Sequence, residues 1–141
     1  MNRTSTGTRS VVVERELPFP PDKIWRALTQ PHLIEEWLMK NDFKPVLDHR
    51  FHLRRDPQPG RSIVVDCQVL AVEPNKTLSY TWAAYGLESV VTWTLTPTSM
   101  GTHLRMEQSG FRPDQEQAFR GARSGWQQFF ANLEQVLARK D

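Results

Sequence analysis

The residues able to do chemistry are few and scattered. Four histidines, His32, His49, His52 and His103, are spread along the chain, and none pairs with another at a spacing that metal ligation uses. His49 and His52 stand three apart in a segment of strand character, which sends them to opposite faces. Glu35-Glu36, beside Trp37, is an adjacent acid pair. Neighbours on a helix diverge, so the pair reads as a solvated face rather than an acid–base couple. Asp66 lies in mid-strand among apolar residues and is expected to face outward and pair across the sheet. The single cysteine, Cys67, reads as a small buried hydrophobe and not as a reactive thiol. There is no Gly-x-Ser-x-Gly elbow, no Cys–His pairing in a known frame and no glycine-rich phosphate loop. The sequence therefore names no catalytic residue, no metal ligand and no cofactor.

What remains is the chemistry of binding. Gln108 shares a face with Leu104 and Met106. An amide placed there needs a partner from neighbours, water or a ligand. Around it the pattern gathers a broad apolar wall: Phe51, Leu53, Cys67, Val69, Tyr80, Trp82, Val91 and Trp93 from strand-like segments, and Trp126, Phe129 and Phe130 from the C-terminal stretch. Gly125 lies at the edge of that stretch's apolar stripe. A glycine there lets the sheet, or a ligand, approach the backbone closely, at about 1 kcal/mol of helix propensity relative to Ala. An apolar enclosure with a few convergent polar groups is how small molecules are held.

These side chains need two kinds of element. At about 100° per residue, Phe119, Ala122, Trp126, Phe129, Phe130, Leu133, Val136 and Leu137 fall within an arc of roughly 120°, predicting one amphipathic helix over Asp114–Ala138, roughly 37 Å long. Its aromatic stripe needs a broad apolar partner, and the strand-rich middle of the chain supplies it. Strands are predicted at Val11–Leu17, Phe43–Leu47, Arg50–Arg55, Ser62–Val72, Thr77–Ala84, Ser89–Thr96 and Thr102–Ser109. The breaks between the later ones, at Asp56–Gly60, Glu73–Lys76, Tyr85-Gly86 and Pro97–Gly101, read as turns and imply an antiparallel meander. Two short helices, one opening at Asp22 and one over His32–Leu38, follow the first strand. Alternation puts the wall residues on one covered face, with His52, Arg54, Ser79, Thr81, Thr92, Thr94, His103, Arg105 and Glu107 on the other. The expected α+β architecture is a sheet curled around the terminal helix, with a gap between them that holds a ligand.

Composition bounds the rest. The chain has 141 residues, 38% hydrophobic and 24% charged, with a net charge of +2, which suits one soluble domain with a real core. Residues 1–10 read as a disordered tail and residues 11–141 as that domain. No apolar run approaches the roughly 20 residues of a membrane span, so no membrane insertion is expected. The N-terminus lacks a secretory pattern, and a lone cysteine fits a reducing cytoplasm. Lys and Arg are scattered, without the basic footprint of a nucleic-acid binder.

One run of residues resembles a known family. PPDKIWRALTQPHLIEEWL, then VLAVEPNKTLSYTW, VTWTLTP, GTHLRMEQSGF and Gly125-Trp126 resemble, in order, the SRPBCC (START-like, Bet v 1-like) superfamily, and within it the homologues of the activator of heat-shock protein 90 ATPase. The resemblance covers nearly everything from Val11 onward. It implies a helix-grip fold, with a seven-stranded antiparallel sheet around the C-terminal helix, two short helices after strand 1, and a cavity used for lipids, sterols, polyketides and other apolar molecules. Leu47-Asp48-His49-Arg50-Phe51 stands where many relatives read Gly-Gly-x-Phe/Tyr, and Cys67 where many carry Gly, which implies a reshaped loop and a narrower cavity. The leading expectation is binding of a small hydrophobic or aromatic molecule. The alternatives are a cavity-based enzyme of cyclase or hydrolase type, for which no acid–base pair is evident, and a chaperone-associated role, for which the family name is the one support; no chaperone contact is expected. A homodimer through an outer strand or the short helices is compatible with the pattern.

Overall fold

The computed structural model describes residues 7–139. Chain order is β1 (Arg9–Leu17), α1 (Pro21–Thr29), α2 (Pro31–Trp37), β2 (Lys40–Asn41), β3 (Arg50–Gln58), β4 (Arg61–Glu73), β5 (Thr77–Ala84), β6 (Leu87–Thr98), β7 (Gly101–Phe111) and α3 (Glu116–Arg139). The strands form one seven-stranded antiparallel sheet in the order β1-β7-β6-β5-β4-β3-β2. This is the α+β helix-grip arrangement that the periodicity and the resemblance predicted.

Local chemistry explains the element ends. Pro21 and Pro31 occupy the first turns of α1 and α2, where a missing N–H leaves no intrahelical bond unmade. These helices carry the chain from one sheet edge, β1, to the other, β2. The β5–β6 hairpin closes through Tyr85 and Gly86 at φ 49° and 82°, the two positive values that match a tight turn to strand twist.

Alternation along the strands decides what faces inward. Phe51, Leu53, Val65, Cys67, Val69, Leu78, Tyr80, Trp82, Val91, Trp93, Leu95, Leu104 and Met106 are all buried, and α3 packs on β1, β7, α1 and α2 to cover them. The outer face is more exposed; Ser79 is its buried exception, its hydroxyl 3.1 Å from that of Thr92. Trp93 stands at the centre, with ring centroids 5.6, 5.7 and 5.6 Å from Trp37, Trp126 and Phe130. Its indole N–H donates to the Tyr80 hydroxyl at 3.0 Å, and that of Trp37 to the Ala27 carbonyl at 2.8 Å. Each such ring removes roughly 150–250 Å² from water, worth several times an exposed ion pair. The ring cluster, not the charged surface, holds α3 on the sheet.

Three expectations need correction. Phe43–Leu47 is not a strand: pairing stops after Asn41, and Asp48 sits at φ 69°. Phe43 turns inward against Phe51, 5.0 Å between centroids, while Val46 and Leu47 stay exposed. Pro45 follows two residues later, and a proline has no N–H to give a ladder. The predicted tail is too long: Arg9 and Ser10 belong to β1, where Arg9 pairs with Glu116 and lies over the Phe119 ring. Residues 1–6 of that tail lie outside the described residues. The predicted turn at Asp56–Gly60 is shorter, because β3 runs on to Gln58 and pairs with Arg61.

Candidate functional site

The early turns of α3 do not fill the space they span. Ala118, Gly121, Ala122 and Gly125 line one side of a cleft of about 270 Å³. A Cβ built on Gly121 would meet nothing within 4 Å, and one on Gly125 only the Phe129 ring edge at 4.0 Å. Opposite stand Trp82 of β5 and Leu87 of β6, with Trp126 and Phe129 of α3 closing the end. The Trp126 ring lies 5.4 Å from both Trp82 and Phe129, tilted at 52° and 76°. Gln108 forms the buried floor and Arg55, exposed, the rim.

A short relay fixes the floor. The Trp126 indole N–H donates to Gln108 Oε1 at 2.7 Å, Gln108 Nε2 donates to Ser89 Oγ at 3.0 Å, and Ser89 Oγ donates to the Trp82 carbonyl at 2.8 Å. Trp126, Gln108 and Ser89 are 2%, 1% and 5% exposed, so each group meets its need for a partner inside the protein. Gln108 lies in the cleft lining as expected of a cavity residue, and its amide finds its partners in Trp126 and Ser89.

The structure brings Trp82, Gln108, Gly125, Trp126 and Phe129 together at the cleft. Leu53, Val69, Tyr80, Val91, Trp93, Leu104, Met106 and Phe130 pack elsewhere in the core, none more than 4% exposed, and Phe51, 1% exposed, lies under the depression that Cys67 borders. Cys67 borders a separate depression of about 340 Å³ with Arg50, His52 and Thr81. There the β4–β5 ladder skips and the Gln68 N–H bonds Thr81 Oγ1 at 2.8 Å. Burial, then the nearby Asp66 and Asp42, push the Cys67 thiol up, so it stays protonated at neutral pH. Burial likewise raises the Tyr80 phenol.

Leu87, Ala118, Gly121, Ala122 and Arg55 were not among the expected site residues. Arg55 had a readable signal, because strand parity places it on the same face as Phe51 and Leu53; their partners across β4 are Ile63, Cys67 and Val65.

A larger depression, about 600 Å³, runs between edge strand β1 and α3. It is bounded by Ser10–Val13, Arg120, Arg123 and Gln127, and its one aromatic ring, Phe119, is roofed by the Arg9 guanidinium at 3.9 Å. Volume alone would favour it; the three aromatic rings and the buried amide that line the smaller cleft decide the choice. On the outer face, His103 is gripped by Glu14 (2.7 Å) and Glu16 (2.5 Å), which hold its pKa above the usual imidazole value. His52 stands between Asp42 (3.5 Å) and Asp66 (3.4 Å). Among the described residues, no three His, Cys, Asp or Glu side chains converge as a metal site, and no helix is long and apolar enough to cross a membrane.

A family model described as activator of Hsp90 ATPase homolog 1-like protein matches residues 18–138. The chain belongs to that family. As a family member it is similar to solved structures along nearly its whole length. Protein MLL2253 of Mesorhizobium loti shares 65% identity, over 94% of this chain and 99% of that one, with a TM-score of 0.87. Protein BH1534 of Bacillus halodurans shares 27%, over 94% and 99%, at 0.77. DynU16, from the dynemicin biosynthetic locus, shares 25% over 92% of this chain but 47% of its own length, at 0.79. No functionally curated protein matches the chain significantly.

Proposed function

We propose that the protein binds a small, flat, apolar molecule in the cleft between α3 and the sheet. The observation that carries this reading is the cleft's construction: Trp82, Trp126 and Phe129 present ring surface to a helix segment that offers only small residues. Ala118 and Gly121 are exposed and Gly125 and Phe129 half-buried, so the small-residue face of α3 leaves the rings reachable from solvent. The similarity to DynU16, which belongs to a biosynthetic locus, fits a small-molecule role, as does the family's fold. Among the lining residues Arg55 alone is ionisable, so the cleft offers no acid–base pair and binding, not catalysis, is the better-supported activity. A cytoplasmic setting fits the single buried thiol. The reading requires neither nucleic acid nor a heat-shock chaperone.

The volume limits the ligand to about one or two rings, since 270 Å³ lies just below the usual range of about 300–1,000 Å³. Burying roughly 200 Å² of such a ring is worth about 5 kcal/mol at 25 cal/mol per Å², a Kd near the sub-millimolar range. Titration with 2-naphthalenemethanol, followed by the indole N–H resonances, tests this. Shifts of Trp82 and Trp126 are expected, and they should vanish in Gly125→Leu, which plugs the cleft. A ligand that moves neither indole at millimolar concentration would refute the reading.

A further inference from the structure

The cleft carries a charge that its apolar walls do not account for. Along the inner face of β3 the series is Phe51, Leu53, Arg55; the first two are each 1% exposed, and the third emerges beside Trp82, Leu87 and Phe129. An arginine at an inward strand position next to aromatic rings normally finds a carboxylate or a carbonyl. Among the described residues, none makes an ion pair or hydrogen bond with the Arg55 guanidinium, whereas its neighbour Arg54 reaches Asp56 at 3.5 Å. Meanwhile the polar atoms of the floor are committed to one another through Trp126, Gln108 and Ser89. A polar group on a ligand therefore meets one open donor, at the rim.

We infer that the cleft selects planar aromatic carboxylates. The ring system lies between Trp82 and Leu87 on one side and the glycine face of α3 on the other, with Trp126 and Phe129 at its end, and the carboxylate accepts from the Arg55 fork at the mouth. A guanidinium matches a carboxylate in plane and spacing. A phosphate dianion would call for further donors, and the lining has no second cation. This rests on the binding reading above and adds the charge requirement. The rim is partly wet, so the preference over a neutral isostere is modest, about tenfold in Kd.

The test uses 2-naphthoate against 2-naphthalenemethanol, titrated into the wild-type protein and into Arg55→Gln. Indole N–H resonances provide the readout, and thermal melts confirm that both proteins are folded. The acid should bind wild type about tenfold more tightly than the alcohol. Arg55→Gln should erase that preference, bringing the ratio of the two Kd values to about one, and 0.5 M salt should narrow the preference in wild type, roughly as screening at a Debye length near 4 Å requires. Equal binding of acid and alcohol by wild type, or a preference that survives Arg55→Gln, overturns the carboxylate assignment and leaves the cleft standing. Failure of both ligands to shift Trp82 or Trp126 overturns the cleft reading and the assignment with it.

Discussion

Replacing Gln108 by Leu removes the acceptor of the Trp126 indole N–H at 2.7 Å and the donor to Ser89 at 3.0 Å. The two losses differ. Ser89 keeps its own bond to the Trp82 carbonyl at 2.8 Å, so its share is small. Trp126, 2% exposed, is left with a buried N–H and no partner, which costs about 1–3 kcal/mol. The better transfer of a leucine into the core returns part of that, so the expected net loss is about 1–2 kcal/mol. For a domain of this size that is a fall in Tm of about 3–8 °C. The decisive comparison is the double variant Gln108→Leu/Trp126→Phe, in which no orphaned donor remains. It should be more stable than the sum of the single effects by about 1 kcal/mol or more. Urea unfolding followed by far-UV circular dichroism measures all three, independently of the lost indole. Additive single effects, or a Gln108→Leu protein as stable as wild type, would refute the claim that the relay holds the cleft wall in place.

Three further outcomes follow from particular residues. Gly125→Ala should stabilise α3 by about 0.5–1 kcal/mol, since the new Cβ meets only Phe129 at 4.0 Å, and should weaken 2-naphthalenemethanol binding by filling the cleft; a thermal melt and a titration check the two signs separately. Gly101→Ala should destabilise by about 3 kcal/mol or more, because φ is 153° and a Cβ would sit 2.2 Å from the Leu17 carbonyl oxygen; a Tm unchanged within error would contradict the close approach of β7 to the β1–α1 junction. Hydrogen bonds to Glu14 and then Glu16 favour the protonated form of His103, so its folded pKa lies above the unfolded value of about 6.5. Its contribution is then complete below about pH 6.5 and lost as pH rises through the raised folded value. Denaturant midpoints at pH 6 and pH 9 should therefore differ by less in His103→Gln than in wild type, and an identical pH difference in both proteins would show that the grip by the two glutamates adds no stability.

Much of the molecule was legible in one dimension. The stripe from Phe119 to Leu137 located α3 because burying one face of a helix imposes a repeat of about 3.6 residues, and alternation in β3 to β7 assigned the inner face because a pleat imposes a repeat of two. Phe43–Leu47 misled because its apolar residues satisfied a strand's composition, while pairing depended on the Asp48 backbone and on room for the Phe43 ring beside Phe51. At the site, Trp82, Gln108, Gly125, Trp126 and Phe129 were named from pattern, yet pattern could not separate them from Trp93 or Phe130, which obey the same periodicity.

Outside the Lys40–Leu47 segment, element type, strand faces and family membership were thus determined by the sequence alone, since each rests on local periodicity or on motifs in order. Tertiary structure decided which part of the shared inner face is solid and which is open. That depends on volumes brought together from distant segments: Trp37, Trp93, Trp126 and Phe130 fill the centre, whereas Gly121 and Gly125 share with Trp82 the lining of an open cleft. It also decided that Gln108 is spent on Trp126 while Arg55 is not spent on anything among the described residues, because a hydrogen bond is a matter of ångströms between side chains far apart in the chain.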